Sequence, residues 1–142
     1  MFEKRVVIDS NVYISALVFG GIPREILQAA EDGKYSLMIS EPIRAEVERV
    51  MEVKFSWPRN KIQRACQKVW KIAEFVKPER KLKIVKRDPS DDKVLECAAD
   101  SYAHFIVTGD DDLLSFNHFQ DIEIVNPKNF LDYLKLRGKQ SE

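Results

Sequence analysis

Four stretches of the 142-residue chain carry carboxylates where carboxylates could act together. Asp9 ends VVID, Glu46 lies in SEPIRAEVERVM, Asp88, Asp91 and Asp92 lie in RDPSDDKVLECAA, and Asp110, Asp111 and Asp112 lie in VTGDDDLL. Sets of oxygen donors suit hard divalent cations such as Mg²⁺ and Mn²⁺ and disfavour zinc. Converging acids also repel one another and hold their protons more tightly unless such an ion neutralises them. With one or two ions the chemistry in reach is attack of an acidified water on a phosphodiester. Zinc or disulfide chemistry is not indicated, because Cys66 and Cys97 lack CxxC spacing and come with only two histidines. A metal-free nuclease would need a general base and acid, for which His104 and His118 are poorly placed. A haloacid-type phosphatase wants Asp-x-Asp after the first strand, and position 11 is Asn.

The elements that must position these acids follow from the hydrophobic pattern. Short β-branched runs at 6–9, 36–40, 81–85, 104–110 and 122–125 read as strands. Three- and four-residue apolar spacing predicts helices over 22–32, 41–53, 58–76, 91–102 and 127–136, with Gly33, Ser40, Ser90 and Asn126 at their ends. Apolar strands alternating with helices imply an α/β fold, a doubly wound and mostly parallel sheet covered on both faces. In such sheets ligands bind beyond the carboxyl ends of the strands, where strand order reverses. Asp9 and Asp110 end two strands, although a lone Asp there serves equally well as a helix cap. Glu46, three residues after Ile43 and four before Val50, falls on the buried stripe of its helix. Such a carboxylate is either a metal ligand or a snorkelling side chain at the stripe's edge. Neighbouring Glu41, Glu48 and Glu52 are assigned to solvated positions. Acids at 88–92 open a helix, where the helix dipole alone would favour them.

At 44% apolar and 32% charged residues, with 5 Gly and 6 Pro, the chain can fold on one core without staples. We expect a single domain over 1–137 with a frayed tail at 138–142. No run is long enough for a signal peptide or a spanning helix, so the expected location is the cytoplasm, away from membranes. The net charge of zero hides an asymmetry: residues 54–87 hold twelve Lys/Arg against two acids, whereas 88–123 hold ten acids against Lys93 alone. In the helix over 58–76, Ile62, Cys66, Val69, Ala73 and Val76 form the apolar stripe. Lys61, Arg64, Lys68 and Lys71 line the outer face, as a phosphate-attracting surface or as a solubilising one. Trp57 and Trp70 could stack bases or serve the core.

Taken together, Asp9 in VIDSNVYISAL, Glu46 in SEPIRAEVERVM, Asp92 in RDPSDDKVLECAA and Asp110 in VTGDDDLL resemble the four acidic motifs of PIN-domain nucleases, in order from residue 5 to about residue 131. The pattern is most similar to the VapC-like branch, the toxins of toxin–antitoxin systems. The resemblance implies a PIN-like three-layer fold with a five-stranded, mostly parallel sheet in the order 3-2-1-4-5 and helices on both faces. It also implies a Mg²⁺- or Mn²⁺-dependent ribonuclease with one or two ions, leaving 5′-phosphate and 3′-hydroxyl ends. Asp9, Glu46, Asp92 and Asp110 take the family's metal-binding, catalytic places. Asp91 replaces Asp92 if the helix starts one residue differently. Asn11 and Thr108 match polar residues that orient the first and fourth carboxylates, and Asp112 matches an auxiliary acid. Asp111 stands where the family often has a basic residue. The implied partners are an RNA substrate, contacted here by Lys61, Arg64, Lys68 and Lys71, a cognate antitoxin protein and a second copy in a homodimer. The alternative from another class is a non-catalytic PIN fold that binds RNA or acts as a scaffold.

Overall fold

A computed structural model describes residues 3–77 and 89–140. The chain order is β1 (Arg5–Ile8), α1 (Ser10–Val18), α2 (Gly21–Glu31), β2 (Ser36–Ile39), α3 (Glu41–Val53), α4 (Arg59–Ile72), β3 (Glu74–Phe75), α5 (Pro89–Asp100), β4 (Phe105–Val107), α6 (Asp111–Leu114), β5 (His118–Phe119), β6 (Ile122–Val125) and α7 (Pro127–Gln140). The strands form one sheet in the order β3-β2-β1-β4-β6-β5, with only the β5–β6 pair antiparallel. Val6, Val7 and Ile8 are fully buried, as expected of a central parallel strand covered on both faces. The chain winds outward from β1 through β2 to β3, then returns to place β4 on β1's other side. The switch in strand order therefore falls between β1 and β4.

Two features of the sheet depart from the expected five-stranded order. The third strand beside β2 is Glu74–Phe75, in register with Met38 and Ile39. Those residues were expected to finish the preceding helix, but α4 stops at Ile72 because Ala73 is extended (ψ 142°). The KLKIV run at 81–85, expected as that strand, lies outside the described residues. The second departure is β5, a two-residue strand that returns on β6 through residues 120–121, making six strands in place of five. Asn117 and Gln120 reach positive φ (60° and 56°) around it, a conformation that Asn tolerates better than most residues.

Several helix ends follow local chemistry. Gly33, at φ +77°, follows α2, and Asn126 Oδ1 accepts from Asn129 N at 2.8 Å to cap α7. Ser40 occupies the N-cap of α3 in extended geometry, yet its hydroxyl makes no cap bond. The fifth helix opens at Pro89, so Ser90 lies inside it and not at its cap. Helix α1 was not expected, nor was the short α6, and α7 continues past Leu136 to Gln140. One hydrophobic cluster joins the sheet and its helices, and Phe130 anchors it edge-on to Tyr35 (5.2 Å) and Phe105 (5.5 Å). Cys66 and Cys97 are free and buried within it, and burial pushes both thiols up to about 12. Among the described residues no helix is long and apolar enough to cross a membrane.

Candidate active site

The carboxyl ends of β1 and β4 lie side by side, and their backbones continue in register past the last paired residues. Asp9 N donates to Val107 O at 2.9 Å, and Thr108 N donates to Val125 O at 3.0 Å. This pins Asp9 against Thr108. Asp9 takes the N-cap position of α1, but its carboxylate makes no cap bond; it accepts instead from the Thr108 hydroxyl at 2.7 Å. The same hydroxyl oxygen accepts from Asp110 N at 3.0 Å. A single buried Thr therefore ties the first acid to the backbone of the fourth.

Asp9 is only 4% exposed. Burial raises its pKa from the ordinary 3.8 to about 6; the Thr108 bond opposes the rise, and the negative charges of Glu46 and Asp110 add to it. Glu46 is half-buried on α3, and its Oε2 accepts a short hydrogen bond from the Ser10 hydroxyl. Ser10 is the residue next to Asp9, so the start of α1 fixes Glu46 relative to the end of β1. Asp110 behaves differently, because its Oδ1 caps α6 by accepting from Asp112 N at 2.8 Å.

Asp9, Glu46 and Asp110 thus converge to within electrostatic range at the switch point. Asp92 is half-buried near the start of α5, which packs on β1, β2, β4 and α3. The structure describes the backbone of Asp91 within α5 but not its side chain, and Asp88 falls outside the described residues. Asn11 is exposed on the first turn of α1, so the donor seen on the first carboxylate is Thr108. Asp112 is half-buried and Asp111 exposed on α6. Among the described residues, no three His, Cys, Asp or Glu side chains form a ready-made metal cage. The donor set is nonetheless all oxygen, and at Asp9 it concentrates negative charge in a buried place with one side-chain donor, Thr108, and the Ser10 N–H to offset it. That is the chemistry of a hard-cation site.

The histidines lie elsewhere. His104 Nδ1 accepts from Arg5 N at the opposite end of the sheet, and burial together with Arg5, Lys4 and Arg137 lowers its pKa. His118 is exposed on the edge strand β5. On α4, Ile62, Cys66 and Val69 are buried, while Lys61, Arg64, Lys68 and Lys71 are exposed, with Lys61 Nζ 4.1 Å over the Trp57 ring. Glu48 is not the solvated residue expected. It is 13% exposed and accepts from Trp70 Nε1 (2.9 Å), Arg44 (2.8 Å) and Arg59 (3.4 Å), because α4 crosses α3 at that point. Sequence reasoning also missed Ser10 as the partner of Glu46, although its place directly after Asp9 was the available signal.

Residues 5–112 match the sequence model of the PIN domain, and the chain belongs to that family. It is 30% identical to uncharacterized protein MJ1680 of Methanocaldococcus jannaschii, over 90% of each chain. Its fold is similar to a chain in the crystal structure of VapBC2 from Rickettsia felis bound to a DNA fragment from its promoter, with TM-score 0.62, 15% identity, and coverage of 86% of this chain and 98% of that one. PIN domains are typically nucleases that use divalent metal ions.

Proposed function

We propose that this protein is a Mg²⁺- or Mn²⁺-dependent ribonuclease, the toxin of a toxin–antitoxin pair that acts in the cytoplasm as a homodimer. The observation that carries the reading is Asp9: a buried carboxylate at the switch point, not used as a cap, and raised by burial and by the charges of Glu46 and Asp110. Asp9, Glu46, Asp92 and Asp110 would hold the ion. When bound, a hard divalent ion supplies an acidified water and charge to offset the leaving 3′ oxygen. The chain's own work is positional: Thr108 aims Asp9, Ser10 holds Glu46, and the α6 cap restrains Asp110. Asn11 and Asp112 stand at the rim as auxiliary polar groups. Lys61, Arg64, Lys68 and Lys71 would attract the RNA backbone. The antitoxin partner is favoured by the likeness to a chain of the Rickettsia VapBC2 assembly.

One observation favours a second reading, a non-catalytic PIN module that binds RNA: the exposed Lys61, Arg64, Lys68 and Lys71 lie on α4, a helix that carries none of the four acids. The test is cleavage of an unstructured RNA with Mn²⁺ and with chelator, with the ends of the products identified. Metal-dependent cleavage to 5′-phosphate and 3′-hydroxyl ends supports the nuclease. RNA binding without cleavage at any Mn²⁺ concentration supports the module.

A further inference from the structure

The face of α3 turned away from Glu46 borders a feature that the acidic site does not use. Positions 46 and 48 lie about 200° apart around a helix. Arg44 and Glu48, one turn apart, therefore face away from the acids and toward α4. Between the two helices runs an open groove of about 730 Å³, with Trp70 in its lining. The Trp70 ring is fixed edge-on to Tyr13 (5.4 Å), and its Nε1 donates to Glu48. Both Glu48 oxygens are engaged, one by Arg59 and the other by Arg44 and Trp70. Arg44 also pairs with Glu41 (2.6 Å) and Arg59 lies 4.0 Å from Glu52, so these two guanidiniums are largely balanced by carboxylates, and Arg64 adds a further cation to the lining. A second groove, of about 570 Å³, shares Asn60 and Arg64 with the first and carries the surface on to Trp57 and Lys61.

The remaining lining groups are the exposed amides Asn60, Gln63 and Gln67, all on one face of α4. Positive charge alone would suit an acidic peptide or a nucleic acid. A carboxylate, however, only accepts hydrogen bonds, whereas an amide offers a donor and an acceptor together, as the edge of a base requires. Spacing along α4 is also informative. From 60 to 63 and from 63 to 67 the helix rises about 4.5 and 6 Å, more than the 3.4 Å between stacked bases of one strand. Amides so spaced match bases that are splayed apart, the form in which single-stranded RNA is read by sequence. One helix diameter, about 10–12 Å, separates this face of α3 from the face bearing Glu46.

We infer that the groove between α3 and α4 is a subsite for unstacked bases of single-stranded RNA, with Arg59 and Arg64 on the phosphates and Gln63 and Gln67 on base edges. This deepens the ribonuclease reading and rests on it. The test uses the full chain carrying Asp9→Asn to prevent cleavage, with fluorescent 12-mers of oligo(U), oligo(A) and oligo(C). Arg59→Ala should weaken binding to all three at least fivefold, and Arg59→Lys should recover only part, since it keeps the charge but loses the fork. Gln63→Ala/Gln67→Ala should bring the three affinities within twofold of one another from a larger initial spread. Lys135→Ala, on exposed α7, is the control. Parent-like affinities and the parent's preference in both groove variants, with unchanged melting curves, would overturn the inference. So would a heptaglutamate peptide that loses binding on Arg59→Ala while RNA binding is unchanged, which would make the groove a seat for an acidic protein segment. Cleavage is scored separately with Asp9 intact. Metal-dependent cleavage whose KM is the same in parent and groove variants rejects the subsite and leaves the nuclease. Base-selective binding that depends on the groove, with no cleavage by the parent, rejects the nuclease and leaves the subsite.

Discussion

Replacing Asp9 with Asn in the metal-free protein should stabilise it above the folded carboxyl's pKa of about 6, by an amount that depends on pH in a calculable way. The unfolded carboxyl has a pKa near 3.8 and the folded one near 6. Below 3.8 both states hold the proton and the raised pKa costs nothing. Between 3.8 and 6 the folded state keeps a proton that the unfolded chain has released, so stability falls as pH rises; above 6 the penalty is complete. At about 1.36 kcal/mol per tenfold, the penalty is roughly 1 kcal/mol at pH 4.5 and roughly 3 kcal/mol at pH 7.5. Asn removes it. The amide keeps an acceptor for Thr108 but introduces an N–H₂ into a site only 4% exposed, a cost of about 1–2 kcal/mol that does not vary with pH. The diagnostic quantity is therefore the change in the melting difference between variant and parent. At about 2–4 °C per kcal/mol it should shift in the variant's favour by roughly 4–8 °C from pH 4.5 to pH 7.5. Thermal scans in chelator measure it. A difference that stays constant with pH, or moves against the variant, would show that Asp9 is not held near pH 6 by burial and its acidic neighbours. Adding Mn²⁺ should then raise the parent's melting temperature more than the variant's.

Three further outcomes follow from the site. Glu46→Gln keeps the acceptor for Ser10 but removes the charge, so cleavage should drop by orders of magnitude and recover in part at high Mn²⁺, while Glu25→Gln on exposed α2 stays at the parent's rate; steady-state kinetics across a Mn²⁺ series decides this. Thr108→Val should cost about 10–100-fold in activity or metal affinity, and Thr108→Ser should restore most of it; a valine variant as active as the parent would remove Thr108 from the positioning role. Reversing Lys61 and Lys68 to Glu should reduce the salt slope of RNA affinity by about 1.4 if each contacts one phosphate of a single strand, as a titration of a cleavage-dead variant would show, and an unchanged slope would return this face to a solubilising role.

What could be read in the sequence was whatever repeats along one element. The bounds of helix α3 were legible because its apolar spacing, Pro42 near its start and Ser40 before it agree, although the third buried residue of its stripe is Met51, with the expected Val50 only half-buried. The strands β1, β2, β4 and β6 were legible as short apolar runs: β1, β2 and β4 are buried on both faces, whereas β6 alternates buried Ile122 and Ile124 with exposed Glu123. Helix α1 was not, since Val12, Tyr13, Ile14 and Ala16 are buried round most of its circumference and leave no polar face to set the period. Likewise β3 is two residues attached to the end of a strongly amphipathic helix, too short to show a period of its own. At the site, the positions of the acids could be read, but not which donor each one meets. The Ser10–Glu46 and Thr108–Asp9 bonds join residues 36 and 99 apart, and no local pattern records such a pairing. Glu48 was misread for the same reason: its place opposite the core is evident from α3 alone, but the Trp70 and Arg59 that cover it arrive with α4.

The bond between Thr108 and Asp9 also dictates when, during synthesis, the acidic site can exist. The central strand β1 has its first parallel partner once β2 emerges, but its carboxyl end gains its other neighbour only when β4, nearly one hundred residues later, has left the ribosome. Until then Asp9 has no buried Thr108 beside it, Asp110 has not been made, and a shortened chain carries the acids as separate charges in water. Premature termination anywhere before residue 108 thus yields fragments that lack the assembled centre, and roughly the last quarter of the chain works as a delay on whatever chemistry that centre performs.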